Sequence, residues 1–343
     1  MHQKNLLTVG IISYNRPIEL LRTIKSLLPL PLNVEVVICD DKSPKICEIK
    51  DSILDTIKIN QKIHFINNET NLGYDKNLFN VIERSNSEYV LLLGDDDYLE
   101  SGALSNLINF INSTVNFKCG FLKFKRRDHK LYSRDQHETI YYNNNFICEN
   151  GSFIYNSILF SGLIYHKDSV VSNKHQFIKY FNSIYIQVAI FINLNSKFGS
   201  YFIKGPGVII GGDGESGFGF NEASSDIDLD LKDRTSIISN LAYHKRLFKV
   251  IRNVETDINI NLFNIFIKEY KIRSIKALFN AKKYGAKYLK SYWEEYKKLN
   301  IPGTWIILPF YFVIYIIPSA VLNYPIYLIE FSILKYRKFI IKV

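Results

Sequence analysis

Through the first third of the chain, apolar positions gather in short unbroken runs. "LLTVGIIS", "VEVVICDD", "KIHFINN" and "EYVLLLG" each have the length and content of a strand. Runs without alternation suit strands covered on both faces. Between them the period changes. In "NRPIELLRTIKSLL", Leu20, Leu21, Ile24, Leu27 and Leu28 form one stripe at helical spacing, and Pro17 suits a first helical turn. "YDKNLFNVIERS" reads as another helix, and Ser101 stands where it could cap a third that runs through Asn112. Strand and helix signals alternating over residues 5–112 predict a mostly parallel sheet flanked by helices. Ligands of such sheets bind beyond the carboxyl ends of the strands.

Further along, "CGFLKFKRR" and "YFIKGPGVIIGG" read as strands and "SIYIQVAIFINLNS" as a buried helix. From Ile227 to Leu299 the pattern is helical and strongly basic. From Leu299 through Ile329 no charged residue occurs, and "WIILPFYFVIYIIPSAVL" is almost continuously apolar. That run is long enough to span a membrane. Pro309, Pro318 and Pro325 interrupt it, and basic residues flank it. A buried helix pair, a span and helices lying in the interface all remain open; Trp305 and the tyrosines favour the interface. The chain thus divides into a sheet domain over 1–225, a basic helical region over 226–299 and a membrane-associating segment over 300–343.

Composition narrows the class. At 343 residues with 47% hydrophobic content, the chain can bury a substantial core. Cys39, Cys47, Cys119 and Cys148 show neither C-x-x-C nor finger spacing, so a reducing cytosol is expected. The net charge of +10 admits nucleic acid, an anionic membrane or a phosphorylated substrate. Because much of it lies around the apolar C-terminal segment, an anionic membrane surface is preferred to nucleic acid.

The candidate chemistry sits at strand ends. "SYNRP" follows the first strand, "CDDKSP" the second and "NETNLGYDKN" the third, while "GDDDYL" closes the fourth. Asp95, Asp96 and Asp97 crowd three carboxylates together, and a divalent cation, Mg²⁺ or Mn²⁺, relieves the repulsion. The glycine-rich "GGDGESG", with Gly212, Gly214 and Gly217, lacks the helix that a dinucleotide site needs.

With these four motifs in this order, the chain resembles the family 2 glycosyltransferases of GT-A fold, which bind nucleotide sugars. Among them it resembles the bacterial enzymes of O-antigen and capsular polysaccharide synthesis, abequosyltransferase-like members included. The resemblance implies an inverting, metal-dependent transfer from a nucleotide-diphosphate sugar to a saccharide on a polyprenyl diphosphate lipid. The place would be the cytoplasmic face of the bacterial inner membrane. It places Tyr14 and Arg16 at the nucleotide base, with Asp40 accepting a hydrogen bond from it. Asp41, Asn71, Gly73 and Asn77 join the donor site. Asp95 lies near the ribose and diphosphate, with Asp96 and Asp97 at the metal. The first aspartate of the family's D-x-D-D pattern is Gly94 here. The acid expected at the start of the later helix is also missing, with Gln187 in its place, so Asp213 and Glu215 become the candidate bases. A nucleotide-sugar-binding module without catalysis is the rival reading.

Overall fold

The computed structural model describes residues 5–126, 138–211 and 239–318. The chain forms two compact units, one from residues 1–146 and 155–224, the other from residues 147–154 and 225–343.

The first unit is built on one sheet. β1 (Leu7–Ser13), β2 (Val34–Asp40), β3 (Ile63–Asn67) and β4 (Tyr89–Gly94) pair in parallel, with β1 central between β2 and β4. Every residue of β2 and β4 is buried, as expected for strands covered on both sides. α1 (Pro17–Ser26) starts on its proline and buries Leu20, Thr23 and Ile24. A helix absent from the sequence reading, α2 (Ile46–Ile59), joins β2 to β3; Ile49 and Ile53 anchor it to the core at a four-residue interval. α3 (Tyr74–Arg84) precedes β4.

Beyond β4 come β5 (Tyr98–Leu99) and α4 (Ala103–Ser113). Ser101 does not cap α4. Gly102 holds the cap position at φ 81°, a left-handed backbone that glycine adopts without a steric cost, and no side chain bonds the helix end. The sheet continues with β6 (Cys119–Arg126), β7 (Ile140–Tyr142), β8 (Leu163–His166) and β9 (Ser200–Ile210), in the order β3-β2-β1-β4-β8-β6-β9-β5, with β7 on β9. β8 enters antiparallel between β4 and β6, so the parallel half gives way to mixed pairing. Four short helices, α5 (Phe146–Glu149), α6 (Tyr155–Ile158), α7 (Lys167–Val171) and α8 (Lys174–Phe177), lie along the connections. α9 (Ile186–Phe198) is buried from Ile186 through Asn195, with Gln187, Asn193 and Asn195 as its buried polar residues.

The second unit is helical: α10 (Ser239–Ile258), α11 (Phe263–Lys283), α12 (Ala286–Lys298) and α13 (Leu308–Ile316). Its core is aromatic, with Phe248 edge-on to Tyr270 at 4.8 Å and Trp293 stacked on Tyr311 at 4.8 Å. Trp305, Phe312, Val313 and Ile316 stay exposed. Among the described residues no helix is long and apolar enough to cross a membrane. The rest of the C-terminal segment, from residue 319, lies outside the described residues.

Candidate active site

Chain order in the sheet sets the place. β1, β2 and β3 run outward in one direction, and the chain then returns to lay β4 on the other side of β1. The strand order reverses at β1, and a crevice opens at the carboxyl ends there. Register puts Asp40 beside Ser13 and Gly94 beside Ile12, so all three motif-bearing ends meet at one rim.

Residues 13–16 bridge that rim. Ser13 C=O accepts from Asp41 N–H at 2.9 Å, and Asn15 N–H donates to Ser43 Oγ at 2.7 Å. On the other side Tyr14 N–H donates to Asp95 Oδ2 at 3.3 Å. Arg16 Nη1 reaches Asp95 Oδ1 at 3.1 Å and Asp96 Oδ2 at 2.9 Å. Burial opposes the charge on this guanidinium, but the two aspartates outweigh it and hold its pKa up. Burial also pushes Asp95 and Asp97 up to about 7; Arg16 pulls Asp95 back, while neighbouring Asp96 raises both.

The three aspartates differ in what they hold. Asp97 accepts from Ser161 Oγ and, at 3.0 Å, from Gly211 N–H. Ser161 Oγ in turn accepts from Gly94 N–H at 2.9 Å. Thr23 Oγ1 ties α1 to the turn through the carbonyls of Asp95 and Asp97, each at 2.8 Å. Asp96 is the most open of the three.

Across β1, Asp40 is fully buried and both its oxygens accept from Ser43, through N–H and Oγ. Asp41 holds the following loop: it accepts from Leu72 N–H at 2.7 Å, Gly73 N–H at 2.9 Å and Asn68 Nδ2 at 3.1 Å. Burial raises the pKa of both. Asn71 Oδ1 accepts from Gly73 N–H at 3.1 Å, and Gly73 has φ 77°. Asn77 is buried and spends its amide inside the fold, donating to Cys39 C=O and accepting from Asn68, each at 2.9 Å.

Among the described residues, two polar atoms at the rim, Ser13 Oγ and Asn15 Oδ1, are buried without a hydrogen-bond partner. Unpaired buried oxygens are costly, and they mark a place a ligand would satisfy. Among the described residues no three acidic, cysteine or histidine side chains form a metal cage. A single open carboxylate still fits Mg²⁺ or Mn²⁺, which take one or two carboxylates and complete their shell with phosphate oxygens and water. Asp213 and Glu215 lie outside the described residues, as do Gly212, Gly214 and Gly217.

Sequence reasoning missed Ser43, Thr23, Asn68 and Ser161. Ser43 had a local signal, since Asp and Ser three apart form such turns. Ser161 had none, because its partner Asp97 is 64 residues away.

Residues 8–170 match the family model described as Glycosyl transferase family 2. That segment is a family 2 glycosyl transferase domain. Over 108 residues the chain is 32% identical to GalNAc(5)-diNAcBac-PP-undecaprenol beta-1,3-glucosyltransferase of Campylobacter jejuni, a match covering 31% of this chain and 34% of the relative. The matched part is therefore about a third of that protein's length. Two solved structures share the fold of this chain. S. aureus TarS 1–349 in complex with UDP-GlcNAc superposes with a TM-score of 0.51 at 18% identity, over 80% of each chain. The mannosyltransferase PcManGT from Pyrobaculum calidifontis, in complex with GDP-Man and Mn²⁺, gives 0.53 at 12%, over 98% of this chain and 86% of that one. The architecture is the GT-A fold expected from the motifs.

Proposed function

We propose that this protein transfers a sugar from a nucleotide-diphosphate donor to a lipid-linked saccharide acceptor, with inversion at the anomeric carbon. The observation that carries the reading is the continuous rim from Ser43 and Asp40 through residues 13–16 to Asp95, Asp96 and Asp97. It joins unpaired oxygens at one side to charge at the other, which suits a ligand with a heterocyclic end and a diphosphate end.

The nucleoside meets Ser13 Oγ, Asn15 Oδ1 and the half-buried Tyr14. The sequence reading gives Asp40 a direct hydrogen bond to the base; with both oxygens on Ser43, its assigned work is to hold Asn15 through that serine. The loop of Asn71 and Gly73, fastened by Asp41, lets backbone approach the donor closely. Arg16 and Asp96 face the diphosphate. Asp96 would hold Mg²⁺ or Mn²⁺ with the donor's phosphates, and the ion supplies Lewis-acid relief of the leaving group's charge. Arg16 already carries positive charge in the same place and screens Asp96 until the donor arrives. A base removes the acceptor hydroxyl's proton, and Asp213 and Glu215 are the candidates. A relative named for an undecaprenol-linked substrate supports the lipid-linked acceptor and a role in surface polysaccharide synthesis. The exposed apolar side chains of the second unit support work at the cytoplasmic leaflet of the inner membrane.

The test is transfer from labelled nucleotide sugars to a polyprenyl-diphosphate saccharide, preceded by a thermal-shift screen of UDP, CDP, dTDP and GDP with Mn²⁺. Asp96→Ala should lower kcat/KM by about 10²-fold or more. Nucleotide-dependent stabilisation without transfer of any sugar would favour the binding-module reading instead.

A further inference from the structure

Asp75 is a buried acid that the proposed chemistry leaves unused. It is 2% exposed in the first turn of α3. Its carboxylate reaches a distant segment: Oδ2 accepts from Ile184 N–H at 2.7 Å and Oδ1 from Ile186 N–H at 3.1 Å, with Ser183 Oγ at 3.4 Å from Oδ2. Ile186 opens α9, whose own cap residue Tyr185 provides no side-chain bond. The first N–H groups of a helix need acceptors, and negative charge there suits the helix dipole. Asp75 meets both needs from another helix.

The turn it grips is strained. Asn182 has φ 70° and Ile184 φ 64°. A β-branched residue in that region is an outlier, kept only where the surroundings over-determine it. Just beyond the turn, Gln187 Nε2 donates to Ile158 C=O at 2.9 Å, and Tyr165 OH donates to Gln187 C=O at 2.9 Å. Between those two partners lies Ser161, which holds Asp97 and Gly94. On the near side, Tyr74 packs edge-on against Phe160 at 5.7 Å. The start of α3 thereby connects the strained turn to the carboxylate rim.

We infer that Asp75 is a positioning residue for the transfer step: it clamps residues 183–186 and the start of α9 against the donor loop as one preset edge of the site. Its oxygens are spent on the turn, so it touches no substrate. The donor loop itself is fastened separately, by Asp41 on Leu72 and Gly73. Loss of Asp75 therefore leaves the nucleotide loop fastened and loosens residues 183–186 and the start of α9, which lean through Gln187 on the segment that carries Ser161, the partner of Asp97. The inference rests on the glycosyl-transfer reading, and its test separates the two.

Asp75→Asn keeps the size and one acceptor while removing the charge. In the full chain it should keep the Kd for the stabilising nucleoside diphosphate with Mn²⁺ within about twofold, while kcat falls about 10-fold to 100-fold, the scale of small misplacements. Amide hydrogen exchange at residues 183–186 should accelerate. Adding Ile184→Gly, which accepts the same backbone without strain, should slow that exchange again and recover part of kcat. Unchanged exchange at 183–186 in Asp75→Asn would overturn the clamp, whether or not the wild type transfers sugar. Faster exchange with unchanged kcat would overturn the positioning role. Absence of transfer by the wild type would count against the proposed function alone, since exchange reads the clamp directly.

Discussion

At the carboxyl end of β4 there is no room for a side chain at position 94. A Cβ on Gly94 would stand 2.8 Å from Asp97 Oδ2, 3.2 Å from Asp96 Oδ1 and 3.3 Å from Ser161 Oγ. The family pattern carries an aspartate there, and this chain's glycine is what lets Asp97 close onto Ser161 against the strand end. Gly94→Ala should cost about 1–3 kcal/mol as an overpacked site, and Gly94→Asp more, since it adds a fourth carboxylate to the group. Thermal melts and nucleotide titrations check this; a Gly94→Asp variant of wild-type stability would contradict the crowding. Two buried acids away from the rim give opposite pH signatures. Burial of Glu35 works against ionisation, yet bonds from Thr8, Asn86, Ser87 and Asn5 outweigh it and lower its pKa. Its contribution is present above about pH 4.5 and is lost as pH falls. Burial pushes Asp75 up to about 6 against its backbone donors. Between about pH 4 and 6 the folded protein keeps a proton that the unfolded chain has released, so this group's contribution falls as pH rises. The stability difference between wild type and Asp75→Asn should thus decline by roughly 2–3 kcal/mol across that window and flatten above it. Denaturant unfolding at stepped pH measures both slopes.

At the scale of elements, local pattern and long-range pairing separate cleanly. β1, β2 and β4 were legible because a strand buried on both faces is mostly apolar, and α1 because its stripe and Pro17 agree. The end of each strand was legible as chemistry for the same reason: a run of apolar residues stopping at Asp40 or Asp95 leaves polar groups at a rim. α2 was missed although Ile49 and Ile53 lie on one face, because the polar residues scattered through "CEIKDS" and "DTIK" read as a loop. The antiparallel entry of β8 and the grip of Asp75 on α9 were invisible, since their partners lie too far along the chain for any local period to register. Asn77 is expected at the donor site from its motif, and its amide is committed within the fold. It fastens α3 to β2 through Cys39 and to the end of β3 through Asn68. Asn77→Ala removes the bonds to Cys39 C=O and from Asn68 Nδ2, which keeps its bond to Asp41, and should cost about 1–3 kcal/mol. The affinity of the folded protein for nucleotide should stay within about twofold. A drop in affinity at unchanged melting temperature would instead make Asn77 a ligand contact.

At the scale of the whole molecule, positive charge is concentrated in the helical unit. Residues 239–318 hold fourteen lysines and arginines against five acids, a formal +9 in a chain whose total is +10. The same unit exposes Trp305 at 68%, Ile316 at 78%, Val313 at 58% and Phe312 at 54%. Exposed apolar side chains together with dense positive charge match an anionic lipid surface, where rings enter the headgroup zone and lysines meet phosphates. The two contributions respond differently to salt. Each lysine near such a surface is worth about 1 kcal/mol and is screened within a Debye length of about 8–10 Å. Each large apolar side chain contributes up to about 1.5–3 kcal/mol on full burial, with no screening. Binding to vesicles rich in phosphatidylglycerol should therefore weaken with salt yet persist above the level seen on neutral phosphatidylcholine. Replacing Trp305, Phe312 and Ile316 together by serine should reduce vesicle binding at least tenfold at low salt. Transfer to a short-chain, water-soluble acceptor should be unchanged, because the substitutions touch exposed apolar residues of the helical unit and leave the carboxylate rim intact. If the triple variant binds vesicles as the wild type does, or if deleting 300–343 leaves the protein in the membrane pellet, these side chains are not what holds it there.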